Sequence, residues 1–361
     1  MFKNIKFKVV IVISLFSILG LLSTGCNSNK ASESNKNITK KAAQRVAISC
    51  FEKNADVSLY KLDTISKKAV LLKKQVTPGI FMPNVLSNDG NLYYPKMDAN
   101  KKFAQLFKFN LTSQKEFQLT SLEKNDIVLV EYLYIDNLTS KIFMRITRKN
   151  HENSELASYN LKTEEVKVFG NQDKDIEVLN FDICKDKKFV AVATYSKVKS
   201  LNNMDKASKS QLTLEPSQYN FTIYDEDGKM VKECKPMKDF VNDVSLSPDG
   251  SLLLISISTE WLDDAHNKKN IFCTQNVETG EIKQVFKSTE QFQEIKNAKF
   301  SADGKGFFYL ATKLDAKSFV NDGGYTKKLN TIFYYDLHSN QSKEIWSPNN
   351  KTITNYVVLD K

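Results

Sequence analysis

The sequence predicts an all-β chain, a six-bladed β-propeller of four-stranded antiparallel blades whose ring is closed by the C-terminal strand joining the first blade. Three observations carry this expectation. A turn flanked by alternating apolar residues recurs at Asp89, Leu138, Asp186, Asp249 and Asp303, with spacings of 49, 48, 63 and 54 residues. Each recurrence is followed by the same train of short β-rich runs, and strong helical periodicity is absent after residue 45. Four short strands per 45–60 residues, joined by hairpins, is the pattern of a propeller blade.

The elements follow in order. In every unit the strand before the anchor turn is inner strand A, as in residues 241–246, and a second apolar run such as Leu252–Ile257 is strand B. A third strand ends near a polar turn (LFKFNLTSQ, LASYNLKTE, FTIYDEDGK, IFCTQNVETG, IFYYDLHSN), and a fourth closes the unit (KEFQLT, VKVFGN, MVKECK, IKQVFK, SKEIWS). Residues 46–74 supply only three strands, VAISCF, VSLYKLD and AVLLKK. The last segment, Asn355–Asp360, is a strand without a hairpin partner. Placed innermost in the first blade, it completes that blade and removes the edges an open array would expose.

The residues of the anchor turn have structural work. In Ser247-Pro248-Asp249-Gly250, Ser suits the first position of a type I turn, Pro presets φ at the second, and Gly accepts the left-handed conformation. Ser87–Gly90 and Ser301–Gly304 repeat the motif, whereas Asn137-Leu138-Thr139 and Lys185-Asp186-Lys187 lack the Gly. Asp225-Glu226-Asp227-Gly228 starts like a calcium loop, but lacks the later acid an EF-hand needs and reads as a hairpin. On these three Ser/Asp/Gly turns and their apolar flanks, residues 45–361 resemble the WD-like repeats of the TolB-like family of six-bladed propellers. That resemblance implies a scaffold that binds proteins or envelope components, with no shared catalytic residue set.

The N-terminus speaks to location. Lys3, Lys6 and Lys8 precede a 14-residue apolar run, Val9–Leu22, too short for a comfortable span and suited to a signal peptide. Ser23-Thr24-Gly25-Cys26 resembles a bacterial lipobox, with Ser23 where Leu is usual. The resemblance implies lipidation of Cys26, with residues 1–25 removed, 26–44 as lipidated Cys and flexible tether, and 45–361 as one propeller domain. The expected location is the extracytoplasmic face of a bacterial cell membrane. Removal of residues 1–25, with three Lys and no acid, lowers the net charge from +10 to +7. This modest basic excess favours anionic neighbours such as phospholipid headgroups or wall polymers. The expected partner is a protein or anionic envelope polymer, and nothing in the sequence points to nucleic acid.

Signals for chemistry are sparse. The signatures G-x-S-x-G, H-E-x-x-H and G-x-x-x-x-G-K-[ST] are missing, and the three His residues lie far apart in predicted loops, so no cofactor or metal is expected. Cys50, Cys184, Cys234 and Cys273 could form two disulfides, but predicted strand positions favour free core thiols. The A–B and C–D turns share one face. The long insertions, Lys197–Pro216, Trp261–Asn270 and Lys313–Lys328, fall on the other. The first reads as an irregular loop; the others contribute Trp261, Asp263 and Tyr325 as candidate contacts, with Gly323-Gly324 as a hinge. Counting back six and four residues from the anchors gives the inner-strand candidates Asn180, Asp243 and Asn297, then Asp182, Ser245 and Lys299. The expected function is a membrane-anchored binding or scaffold module acting through the loop-rich face. The alternative is a surface glycan hydrolase or lyase using Asp182 and Asp243 as paired carboxylates.

Overall fold

Alternating apolar residues along short runs bury one strand face against the neighbouring blade, and six such interfaces build the molecule. The computed structural model describes residues 44–359, apart from 55, 76–84, 88, 98–102, 170–172, 185, 211–213, 259–269, 321–323 and 325. Blade one orders its strands 352–358, 45–51, 57–63 and 68–75 from the inside out. Blade two uses 85–86, 91–97, 104–110 and 115–118; blade three 127–136, 141–148, 154–160 and 166–168. Blade four uses 176–184, 189–196, 218–225 and 230–233, with 237–238 also pairing to its third strand. Blade five runs 240–246, 252–258, 270–276 and 282–287; blade six 292–300, 306–313, 331–336 and 341–346. All pairs are antiparallel, and the closing strand is Thr352–Val358 against Arg45–Phe51.

The core is divided among the blade interfaces. Blades four and five share Ala193, Phe221, Val244 and Ile255, and blades five and six share Leu254, Phe272, Phe307 and Tyr309. The ring closes where Val46, Ile48 and Tyr356 of blade one meet Phe308, Leu310 and Ile332 of blade six. The four described cysteines are free and buried, and burial pushes the Cys50 thiol up to about 12 and those of Cys234 and Cys273 to about 11. Cys234 lies just past the end of its strand, in a connection instead of the predicted strand interior.

The anchor turns form as their residues dictate. Gly250 N donates to Ser247 O at 2.8 Å, the Ser247 hydroxyl donates to Asp249 Oδ1 at 2.6 Å, and Gly250 has φ +72°. Ser301–Gly304 repeats these contacts. Where Gly is missing, Ser140 and Lys188 take the left-handed conformation instead, at φ 58° and 56°. Asp225-Glu226-Asp227-Gly228 is a hairpin turn in which Asp225 Oδ1 accepts from Asp227 N and Lys229 N.

One expectation is corrected. The blade-four insertion, read as an irregular loop, is an α-helix over Lys197–Ser210, here α1. Ser196 caps it, its hydroxyl accepting from Lys199 N at 3.1 Å, while Asp175 Oδ1 accepts from Val198 N at 2.7 Å. The blade-six insertion carries a small hairpin, Ser318–Val320 against Thr326–Lys328.

Candidate functional site

The inner strands of blades four, five and six position a polar cluster by the same device. Each loses register with its B strand just before a channel residue: between Val178 and Asn180, Val241 and Asp243, and Lys296 and Lys299, with a second shift in blade six between Phe292 and Glu294. A bulge re-aims the side chain that follows it, and here those side chains line the central channel. In blade six the irregularity puts Asn297 at φ 52°, a conformation Asn tolerates better than most residues.

Two tiers of hydrogen bonds then cross the three blades. In the first, Asp243 Oδ1 accepts from Asn180 Nδ2 of blade four, from Val244 N at 2.9 Å, and from Lys299 Nζ of blade six at 3.1 Å. Lys299 Nζ also donates to Val244 O at 2.9 Å. In the second, the Ser245 hydroxyl donates to Asp182 Oδ2 of blade four at 2.6 Å and accepts from Phe300 N of blade six at 3.0 Å. Leu246 N also donates to Asp182 Oδ2, at 3.0 Å. Asp182 and Asp243 are only 6 % and 3 % exposed, so these contacts replace lost water.

Burial lifts Asp243 above the usual carboxylate range against the pull of Lys299, with Asp182 adding to the rise. Lys299 is held above the usual lysine range, because Asp243 and then Asp182 outweigh the burial that opposes its charge. The cavity is small, about 70 Å³, or room for roughly five waters at 10–15 Å³ of such volume each. Tyr132, Tyr134, Asn242, Asn355 and Tyr356 complete its walls. The Tyr356 hydroxyl meets the carbonyls of Asn297 and Phe308, joining blade one to the cluster. Among the described residues, no three His, Cys, Asp or Glu side chains are grouped to hold a metal ion.

The structure thus brings together Asn180, Asp182, Asp243, Asn297 and Lys299. Trp261, Asp263, Tyr325 and Cys26 lie outside the described residues. The aromatic half of the channel wall was missed, although the signal was present. Counting back six and four from Leu138 gives Tyr132 and Tyr134, which stand at the offsets of the polar candidates but read as ordinary strand aromatics. Arg145 is a further omission: it pairs with Glu131 at 2.7 Å and lies over the Tyr132 ring, 5.2 Å from its centroid.

The two faces of the ring differ as the connectivity requires. The short A–B and C–D turns occupy one, and helix α1 and the blade-six hairpin stand on the other, the loop face. Arg45 and Leu359 meet on the turn face, where Leu359 N donates to Arg45 O at 2.8 Å.

Comparison with known proteins identifies the class of fold. No family model matches the chain. It is 13 % identical to TolB from Acinetobacter baumannii, covering 88 % of this chain and 67 % of that one, with a TM-score of 0.56. An oligogalacturonate lyase in complex with manganese gives 11 % identity, 85 % and 74 % coverage and a TM-score of 0.52. A protein from Lactobacillus plantarum gives 11 %, 88 % and 100 %, and 0.50. At these identities the likeness is one of fold, a TolB-like propeller. By sequence, the chain is 24 % identical to the uncharacterized protein YdjN of Bacillus subtilis (strain 168) over 192 residues, 52 % of this chain and 53 % of that protein. The match therefore spans about half the length of that curated relative.

Proposed function

We propose that this protein is an exported, lipid-anchored binding module that holds a protein or anionic envelope polymer on the loop face of its propeller. The observation that carries the reading is the opposition of the two faces. The short A–B and C–D turns, with Arg45 beside them, occupy one face, while helix α1 and the blade-six hairpin stand on the other. A rigid ring with long loops on one face is the usual platform for recognition. The fold it shares with TolB is compatible with this, as it is with the enzymes of the same architecture.

The carboxylates support binding over glycan cleavage. Asp182 commits an oxygen to the Ser245 hydroxyl and Leu246 N of blade five. Asp243 commits one to Val244 N of its own strand and to Asn180 and Lys299 of the flanking blades, and Lys299 neutralises one charge. The 70 Å³ cavity is far smaller than the roughly 300–1,000 Å³ of typical ligand sites.

Two measurements test the proposal. Cys26→Ser should move the protein from the membrane fraction to the soluble one; retention in membranes overturns the anchor. Replacing residues 197–216 and 314–329 by short turns should abolish partner capture by cross-linking in cells while leaving the melting transition in place. Capture that persists overturns the loop-face assignment, and glycan turnover lost in Asp243→Asn with capture retained would favour an enzyme.

A further inference from the structure

Blade three is short at its outer edge. Its outer strand covers only Val166–Val168, and the pairing extends one step further, where Phe169 N donates to Leu156 O at 2.8 Å. The third strand of the neighbouring blade four runs eight residues, Gln218–Asp225. Part of the blade-four face is left uncovered, and a cleft of about 710 Å³ lies there between the two blades. That volume falls within the roughly 300–1,000 Å³ of typical ligand sites, which the 70 Å³ channel cavity does not reach.

The cleft has an apolar floor. Leu156, Phe169, Val178 and Val192 line it, none more than 7 % exposed, and all four belong to the core between the blades. Phe169 closes one end against Gly228, where a Cβ would lie 2.6 Å from its ring. Met230, 53 % exposed, stands at the edge with an unbranched thioether that adapts to what it covers.

Its charge is of one sign. The charged side chains that line the cleft are Glu155 and Glu233, with no Lys or Arg among the described residues. Glu155 is already engaged by Arg148, which donates to both its oxygens at 2.6 and 2.7 Å. Glu233 is exposed and has no ion-pair partner among the described residues, and its neighbour Lys232 turns to Glu278 at 3.2 Å. Burial raises the Tyr224 pKa and the Glu233 carboxylate adds to the rise, so the unpaired charge bears on the cleft wall.

We infer that the cleft between blades three and four binds a small amphipathic cation, its apolar body on Leu156, Phe169, Val178 and Val192 and its ammonium beside Glu233. This goes beyond the loop-face reading, which neither requires it nor falls with it. An amphipathic anion would set its own charge against Glu233, and a neutral molecule would leave that charge unused. Each buried methylene of the ligand adds apolar contact with the floor, so the body supplies affinity and the head supplies selectivity.

The test is calorimetric titration of the full chain, carrying Cys26→Ser so that no lipid anchor competes, with decylamine, decanol and decanoate below their aggregation limits. The chain's basic excess would by itself favour decanoate, so a preference for the amine reports the cleft. Decylamine should bind one per chain and about tenfold more tightly than decanoate, since attraction and repulsion of an exposed charge are each worth about threefold. Glu233→Gln should weaken decylamine about threefold and leave decanol unchanged. Thr222→Trp, which places an indole over the half-buried cleft wall, should abolish binding of all three, with melting curves on both variants showing the ring intact. Absence of saturable decylamine binding, decanoate bound as tightly as decylamine, or binding unaffected by Thr222→Trp each overturn the inference. Equal loss of decylamine and decanol in Glu233→Gln overturns it as well, because Glu233 then does not read the ammonium.

Discussion

Lys299 holds one of the two tiers together, and its removal is the most informative single change in the channel. It donates to Asp243 and to the Val244 carbonyl from a side chain only 18 % exposed. Lys299→Met keeps the apolar stem but leaves a nearly buried carboxylate uncompensated, which costs about 3–5 kcal/mol when one partner of a buried pair is lost. In the variant, the Asp243 pKa rises further above its unfolded value, so its penalty is full at neutral pH and falls as pH drops and the carboxyl protonates. Urea denaturation at pH 7 and pH 4.5 should therefore show a deficit that shrinks at the lower pH. Asp243→Asn on the same background should recover most of it. An equal deficit at both pH values would mean that the loss comes from packing alone. Asp182, Asp243 and Lys299 were legible in the sequence because they sit at fixed distances from a turn with its own signature. Tyr132 and Tyr134 occupy the same offsets but resemble ordinary strand aromatics. Tyr356 has no anchor turn after it to count from.

At the scale of the element, the turns were the readable parts, and one regular set went unread. All six C–D turns begin with Asp or Asn: Asp63, Asn110, Asn160, Asp225, Asn276 and Asp336. In each, the side-chain oxygen accepts from backbone N–H groups two to four residues on. This Asx turn recurs in every blade, more faithfully than the Ser/Asp/Gly turn, because it needs one residue type instead of three. Helix α1 was illegible for the opposite reason: it buries no side chain, so no apolar face at 3.6-residue spacing points inward. Glycines make a test at this scale. Gly250 has φ +72°, and a Cβ there would meet Cys184, Lys187 and Phe189 only at an ordinary 3.5 Å, so Gly250→Ala should cost about 1 kcal/mol, the price of the left-handed conformation alone. Gly306 lacks a positive φ, but a Cβ there would lie 2.1 Å from Tyr335 O and 2.5 Å from the Tyr334 hydroxyl. Gly306→Ala should therefore cost about 3 kcal/mol, the upper range for overpacking, although the sequence gives it no turn motif. Equal losses on denaturation of the two variants would refute the steric assignment.

For the whole molecule, the decisive joint is where the two ends of the ring meet in blade one. Beside the paired strands, an ion network ties the entry of the closing strand to the older strands. Lys351 donates to Glu52 at 2.8 Å and to the Tyr60 hydroxyl at 2.6 Å, Lys74 bridges Glu52 and Asp56 at 3.0 and 2.9 Å, and Ser58 bonds Glu52. Burial works to raise the Glu52 pKa, but hydrogen bonds from Lys351, Ser58 and Lys74 win and bring it down to about 2, from 4.5. A carboxyl with a depressed folded pKa contributes its full stability above the unfolded value and loses it as pH falls through the folded value. The window is therefore pH 4.5 down to about 2. In that window the melting temperature of the native protein should fall more steeply than that of Glu52→Gln. The two curves should be farthest apart above pH 5 and converge near pH 2. Hydrogen exchange should place the difference in residues 352–358, since a loosened latch frees the closing strand first. Melting curves that run parallel across the window would show that Glu52 does not couple acid to ring closure, leaving the closing interface of Val46, Ile48 and Tyr356 against Phe308 and Leu310 to hold the joint by packing alone.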